Sequence, residues 1–120
     1  ADLARWAAEH DQPLAAVATT IHGGALPAES GGLALDDPAA VVVAVKRGED
    51  GATLVVRVVE TAGVARQVRL TVPRIAYGGL AAAWCADLLE RRMSEATVAG
   101  EVVGIALPAH GLATVVLRFA

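Results

Sequence analysis

Val41-Val42-Val43-Ala44-Val45-Lys46-Arg47, then Gly48-Glu49-Asp50-Gly51-Ala52, then Thr53-Leu54-Val55-Val56-Arg57-Val58-Val59-Glu60 is the stretch that decides the fold. Valine is branched at Cβ and fits a pleated surface, so the two valine-rich runs read as strands. Between them Asp50-Gly51 reads as a two-residue type I′ turn, because glycine takes a positive φ at little cost. Such a turn pairs Glu49 with Ala52 and Val45 with Val56. Side chains alternate along a strand, so Val41, Val43, Val45, Leu54, Val56 and Val58 then share one face, with Lys46 and Arg57 together on the other. A slip of one residue would put Arg57 on the face of Val43 and Val45. The charges therefore choose the register.

Downstream, Gly63 marks a turn, and Val68, Leu70 and Val72 alternate with Gln67, Arg69 and Thr71 in a strand over 64–72. Leu80 to Ala86 reads as another strand, Ala86 to Arg92 as a helical turn or the tail of that strand, and Met93 to Gly100 as mostly loop. Val102 to Leu107, the turn Pro108-Ala109-His110-Gly111, and Leu112 to Phe119 read as a terminal hairpin, with Ala113, Val115, Leu117 and Phe119 on one face. Upstream, residues 33–36 form a short strand, His22 to Gly32 a loop rich in Gly, Pro and Ser, and Leu14 to Ile21 a weak strand. Before it, Asp2 caps a helix in which Leu3, Trp6, Ala7 and His10 recur at helical spacing, and Asp11-Gln12-Pro13 ends that helix. The expectation is an all-β fold: an antiparallel β-sandwich of about seven or eight strands with a short N-terminal helix. It is a single domain over 1–120, with helix and lead-in over 1–12 and sandwich over 13–120. Val43, Val45, Val56, Val58, Val68, Leu70, Val115 and Leu117 are its expected core.

Composition excludes several functions. The formal net charge is -3, and the arginines are scattered, which argues against a nucleic-acid surface. No apolar run reaches the ~20 residues of a membrane helix. The single cysteine, Cys85, rules out an internal disulfide. Trp6, Tyr77, Trp84 and Phe119 are the whole aromatic complement, little material for base stacking or sugar platforms. Lys46 is the sole lysine and asparagine is absent, as in a GC-rich bacterial genome. The start lacks both a basic signal-peptide region and an initiator methionine, so a piece of a larger chain is expected.

No constellation carries chemistry, and no catalytic, cofactor-binding or metal-binding residue is expected. Ser30 and Ser94 lie in loop sequence without a nucleophile elbow. Cys85 reads as an inert thiol in an apolar run. His10, Asp11 and His22 are the best set for zinc, but they lack the short paired spacing of a metal site. Glu49-Asp50 and Asp36-Asp37 are turn acids rather than a pair flanking one glycosidic bond. Gly23-Gly24 and Gly31-Gly32 are loop glycines, since neither pair follows a strand and opens a helix. The feature that stands out is a half-apolar outer face on which Lys46 and Arg57 lie among Val42, Val55 and Val59. Such a face is a candidate domain interface, to be covered by the loop at 22–32 or by another copy.

Ala44-Val45-Lys46-Arg47-Gly48-Glu49-Asp50-Gly51 followed by Leu54-Val55-Val56-Arg57-Val58-Val59-Glu60-Thr61-Ala62-Gly63 resembles the "VK-x-x-E-D … L-x-x-R-x-x-E-x-x-G" stretch near the C-terminus of glycoside hydrolase family 38 α-mannosidases. Ala86-Asp87-Leu88-Leu89-Glu90-Arg91 is similar to the "DLLE" segment that follows there, and Val115 to Phe119 to the family's final strand. Pro13-Leu14 is similar to its "N-x-P-L" lead-in, with Asp11-Gln12 in place of the asparagine context. Val58-Val59 replaces the usual aliphatic-tyrosine pair, and Ala81 to Ala83 is unusually plain. The resemblance implies a non-catalytic C-terminal structural and interface domain of a bacterial enzyme of the cytosolic-type branch, hence cytoplasmic. It also implies that the zinc ligands and nucleophile lie in another domain, so zinc is expected only there, and that the partners are the enzyme's other domains, or another copy of the chain. A carbohydrate-binding module or a generic protein-interaction sandwich are the alternatives.

Overall fold

The strand signals of the sequence resolve into two antiparallel sheets packed face to face, as a computed structural model describing residues 2–120 shows. In chain order the elements are α1 (Asp2–Asp11), β1 (Ala34–Leu35), β2 (Ala40–Arg47), β3 (Thr53–Glu60), β4 (Arg66–Thr71), α2 (Arg74–Tyr77), β5 (Leu80–Ala86), β6 (Arg92–Glu95), β7 (Thr97–Ala99), β8 (Val102–Leu107) and β9 (Leu112–Phe119). One sheet has four strands in the order β1-β4-β8-β7, the other five in the order β2-β3-β9-β5-β6. Val68 and Leu70 of β4 and Val103, Ile105 and Leu107 of β8 meet Val56 and Val58 of β3 and Val115 and Leu117 of β9 in one core. Each fully buried aliphatic side chain there contributes about 1.5–3 kcal/mol. The antiparallel sandwich and its N-terminal helix are thus as expected, with nine strands instead of seven or eight.

The β2–β3 hairpin keeps the expected register near its tip, with Val45 opposite Val56. Its turn differs: the Gly51 N–H donates to the Gly48 carbonyl (3.0 Å), and only Gly51, not Asp50, has positive φ. The turn is therefore centred on Glu49-Asp50 and is not type I′. Asp50 closes it with its carboxylate, which accepts bonds from the Ala52 and Thr53 amides and the Thr53 hydroxyl. Further along, a bulge between Val42 and Ala44 makes Val43 the extra residue. Beyond it the faces exchange, so that Val42 lies opposite Val58 and packs on the core instead of sharing the outer face of Lys46 and Arg57. Val43 and Val45, expected in the core, are 53% and 48% exposed. β2 is an edge strand, and the facing sheet ends in the two-residue β1, too short to cover it.

Three further expectations are corrected. β8 and β9 do not form a hairpin: β8 pairs with β4 and β7, β9 with β3 and β5, and Pro108 to Gly111 crosses from one sheet to the other. Both strands present an alternating apolar face, and facing each other across the core buries both faces at once. Residues 93–100 are not mostly loop, since β6 and β7 occupy them as short exposed strands, and 86–92 is a strand end followed by a turn. Leu14 to Ile21 is not a strand: residues 12–32 hold neither strand nor helix, and Leu14 and Ile21 are 104% and 107% exposed. The sandwich strands accordingly begin at Ala34 rather than near residue 13. Helix α1 stops where proline was expected to stop it; the side chain of Asp2, expected to cap it, lies outside the described residues.

Candidate functional site

The outer face of the five-stranded sheet is where the sequence places its candidate interface. β3 contributes Val55 and Arg57, β2 contributes Lys46, β9 contributes Thr114 and Val116, and β5 contributes Trp84. From the end of β5 the chain leaves the sheet at Asp87 and folds over this face as a strap. Asp87 closes the strap on itself: its Oδ1 accepts the Leu89 and Arg91 amides (2.9 Å each), and its Oδ2 accepts Arg91 Nε (2.7 Å). The Arg91 amide, with help from the guanidinium, holds the Asp87 carboxyl below its ordinary pKa. Glu90 takes the left-handed conformation (φ 65°), a strained geometry for a side chain with a Cβ. Its carboxylate is thereby aimed at two cations, Lys46 and Arg57, the latter at 3.2 Å. Arg57 also donates to the Leu88 carbonyl (3.1 Å).

Cover for the Lys46–Arg57 face thus comes from the strap, not from the loop at 22–32 that was expected to supply it. Val55 is buried beside Val116, Ala86 and Trp84. Val59 is partly buried, and Val42 has left this face through the bulge. The signal that could have found the strap was present: two cations on one face, and two acids, Asp87 and Glu90, in the similar "DLLE" block. Two polar atoms under it, Arg57 Nε and Thr114 Oγ1, are buried without a hydrogen-bond partner.

At the opposite rim, Glu60 is buried at the end of β3. Its carboxylate accepts the amides of Ala62 (2.9 Å), Gly63 (2.7 Å), Val64 (3.2 Å) and His110 (3.0 Å), and it meets Arg66 Nη2 at 3.1 Å. Burial alone would raise its pKa, but the amides of His110, Ala62, Gly63 and Val64 outweigh burial and lower it to about 2. Gly63 has φ 78°, and an added Cβ would stand 2.6 Å from His110 Nε2, so glycine is required twice over. Arg66 continues the network to Asp37 (2.6 Å), whose carboxylate also accepts the Ala39 amide (2.8 Å). One carboxylate therefore ties the β3–β4 turn to the β8–β9 crossing and, through Arg66, to the lead-in of β2.

The remaining candidates are not brought together. Asp36 is occupied by Arg69, Asp37 by Arg66 and the Ala39 amide, and Asp50 by the amides of its own turn, so neither acid pair offers two free carboxyl groups about one bond. Among the described residues no three His, Cys, Asp or Glu side chains converge, and His10, Asp11 and His22 offer no zinc site. Cys85 is a free, partly buried thiol. Trp84 carries the guanidinium groups of Arg92 and Arg118 at 4.9 and 5.8 Å from its ring, and Tyr77 stacks on Phe119 (6.0 Å), so these aromatics are occupied internally. No helix among the described residues is long and apolar enough to cross a membrane.

Lys46, Arg57, Glu60, Gly63, Asp87 and Glu90, the residues of the two motif blocks, interlock as loop ties within one sandwich. The model of the family described as glycosyl hydrolases family 38 C-terminal beta sandwich domain matches residues 39–118, about two-thirds of the chain. The chain belongs to this family. Its match begins just before β2 and ends in β9, so the matched stretch includes the strap and Glu60 with Arg66 and His110, while α1, residues 12–32, β1 and Asp37 precede it. No match is found among curated proteins or among solved structures.

Proposed function

We propose that this chain serves as the non-catalytic structural and interface domain of a larger family 38 α-mannosidase, acting in the bacterial cytoplasm. The observation that carries this reading is the internal use of its charged motif residues. Lys46, Arg57 and Glu90 hold the strap, and Glu60 holds two chain crossings. Hydrolysis of a mannoside requires two carboxyl groups placed about a single bond, and the acids here lie at separate loops, tied to their own neighbours. Its partners are the enzyme's other domains, and any zinc belongs to the catalytic one. The free Cys85 thiol and the similarity to the cytosolic-type branch support the compartment.

The test is an assay of the 120-residue chain beside the complete enzyme, on a chromogenic aryl α-mannoside, with bound metal measured in each. The expected result is turnover and zinc in the complete enzyme and neither in this chain. Turnover by this chain, abolished by a chelator, overturns the non-catalytic reading. An inactive complete enzyme overturns the mannosidase assignment.

A further inference from the structure

The strap is closed on itself and lightly attached to what it covers. Within it the Asp87 amide donates to the Arg91 carbonyl (3.0 Å) and the Glu90 amide to the Asp87 carbonyl (2.9 Å), while the Asp87 carboxylate accepts the Leu89 and Arg91 amides. None of these bonds reaches the sheet beneath. Leu88 and Leu89, its two large apolar side chains, are 65% and 74% exposed, so no apolar anchor holds it down. Among the described residues, the hydrogen bonds and ion pairs that tie it to the face are those of Lys46 and Arg57. Both pair with Glu90, and Arg57 also donates to the Leu88 carbonyl. The two ends of the strap meet where Ala86 pairs with Arg92 across β5 and β6, beside a bulge.

Its closed position is opposed by what lies under it. Arg57 Nε and Thr114 Oγ1, on residues paired across β3 and β9, are out of water without a hydrogen-bond partner. Groups buried in this way lose their hydration and recover nothing for it, and lifting the strap returns both to water. Closure is held by ion pairs of partly exposed side chains, which contribute little each. The sandwich has no such weakness: Val56, Val58, Leu70, Ile105 and Leu117 bury its core completely, on the other side of the sheet.

We propose that the strap is a charge-latched lid. Residues 87–91 lift as one unit about the Ala86–Arg92 pair while the sandwich stays folded, and the latch is Glu90 held between Lys46 and Arg57. Opening of this kind is local unfolding of the least anchored part of the chain, well below the free energy of global unfolding. Lifting the strap frees both cations and opens the outer face around Val55 and Val116 to water. That face therefore exists in two states, covered and bare. Salt shifts the balance towards the bare state, because it screens the charges of the latch and leaves the apolar core untouched.

Proton exchange at Arg57 Nε reads the opening directly, since this group is covered yet has no hydrogen bond to break. It would be followed by NMR in the 120-residue chain, together with the Leu89 and Arg91 amides of the strap and the Val56 and Leu117 amides of the core strands. The measurement is made in about 10 mM and about 1 M salt, between which the Debye length falls from ~30 Å to ~3 Å. The expected result is that high salt speeds exchange at Arg57 Nε and at both strap amides by one common factor, about five-fold, and leaves the core amides unchanged. Glu90→Gln should show the fast rates already in low salt and should no longer respond to salt. Exchange at Arg57 Nε that ignores both salt and Glu90→Gln overturns the proposal. Faster strap amides without faster Arg57 Nε also overturn it, because the strap then frays in place instead of lifting. Exchange at Arg57 Nε at the rate of the core amides overturns it as well, since opening then requires the sandwich to unfold.

Discussion

Residues 2–32 and residues 34–119 are both rich in apolar side chains, yet only the second region is folded around them. Leu3, Trp6, Leu14, Val17, Ile21 and Leu26 of the first are all exposed, whereas Val56, Val58, Leu70, Ile105 and Leu117 of the second are fully buried. The difference lies in what each segment finds opposite itself. β3 has β2 on one side, β9 on the other and the facing sheet above it. Leu14 to Ile21 has β-compatible sequence but meets no strand edge and no sheet face. Apolar content makes a strand possible, and only a ladder and a cover make it stable.

The sharpest way to break this comparison is to place the same charge in each region. Val56→Asp should cost about 4 kcal/mol or more in a urea melt, or prevent folding, because the carboxylate would be buried unpaired. Val17→Asp should leave the melt unchanged. Equal effects would mean that the arm is packed in solution.

The Glu60 network sharpens the comparison within the folded region. With a pKa of about 2 against an ordinary 4.5, Glu60 contributes stability that is complete above pH 4.5 and is lost as the pH falls towards 2. Glu60→Gln should therefore lower stability at neutral pH and flatten the acid limb between those values. The limb should not vanish, because Asp36, Asp37, Asp50 and Asp87 are also held below their ordinary range. An unchanged acid limb in pH-dependent melts would show that the amides do not hold the charged form.

Smaller effects belong to the strap. Glu90→Ala should cost about 1 kcal/mol, as expected for partly exposed ion pairs, and should speed hydrogen exchange at residues 87–91. Lys46→Ala should cost less, since Arg57 still holds Glu90. Removal of residues 2–32 as a whole should likewise have little effect, shifting the stability of the sandwich by no more than ~0.5 kcal/mol. A larger loss would assign the arm a place in the fold.

Legibility followed the range of the interactions involved. The hairpin register near Asp50-Gly51 was readable because adjacent strands and a glycine turn are local, and the core positions Val56, Val58, Val68, Leu70, Val115 and Leu117 followed from period-two alternation. The bulge at Val43 was not readable. It depends on how β2 must bend to follow β3, and one inserted residue reverses the faces of Val41 and Val42. The candidate site was half legible. Lys46 and Arg57 share an outer face, as the alternation gave, but their partner Glu90 lies more than thirty residues from Arg57.

By itself the sequence determined the class of the fold and the apolar alternation of its central strands β3, β4 and β9, since these depend on neighbours along the chain. Tertiary structure decided the assignment of strands to sheets, because β8 and β9 are adjacent in sequence yet gain more by facing each other across the core than by pairing. It likewise decided that the strap, rather than the arm, covers the Lys46–Arg57 face. A carboxylate selects its partners by distance in space, and that distance exists only after the sandwich has closed.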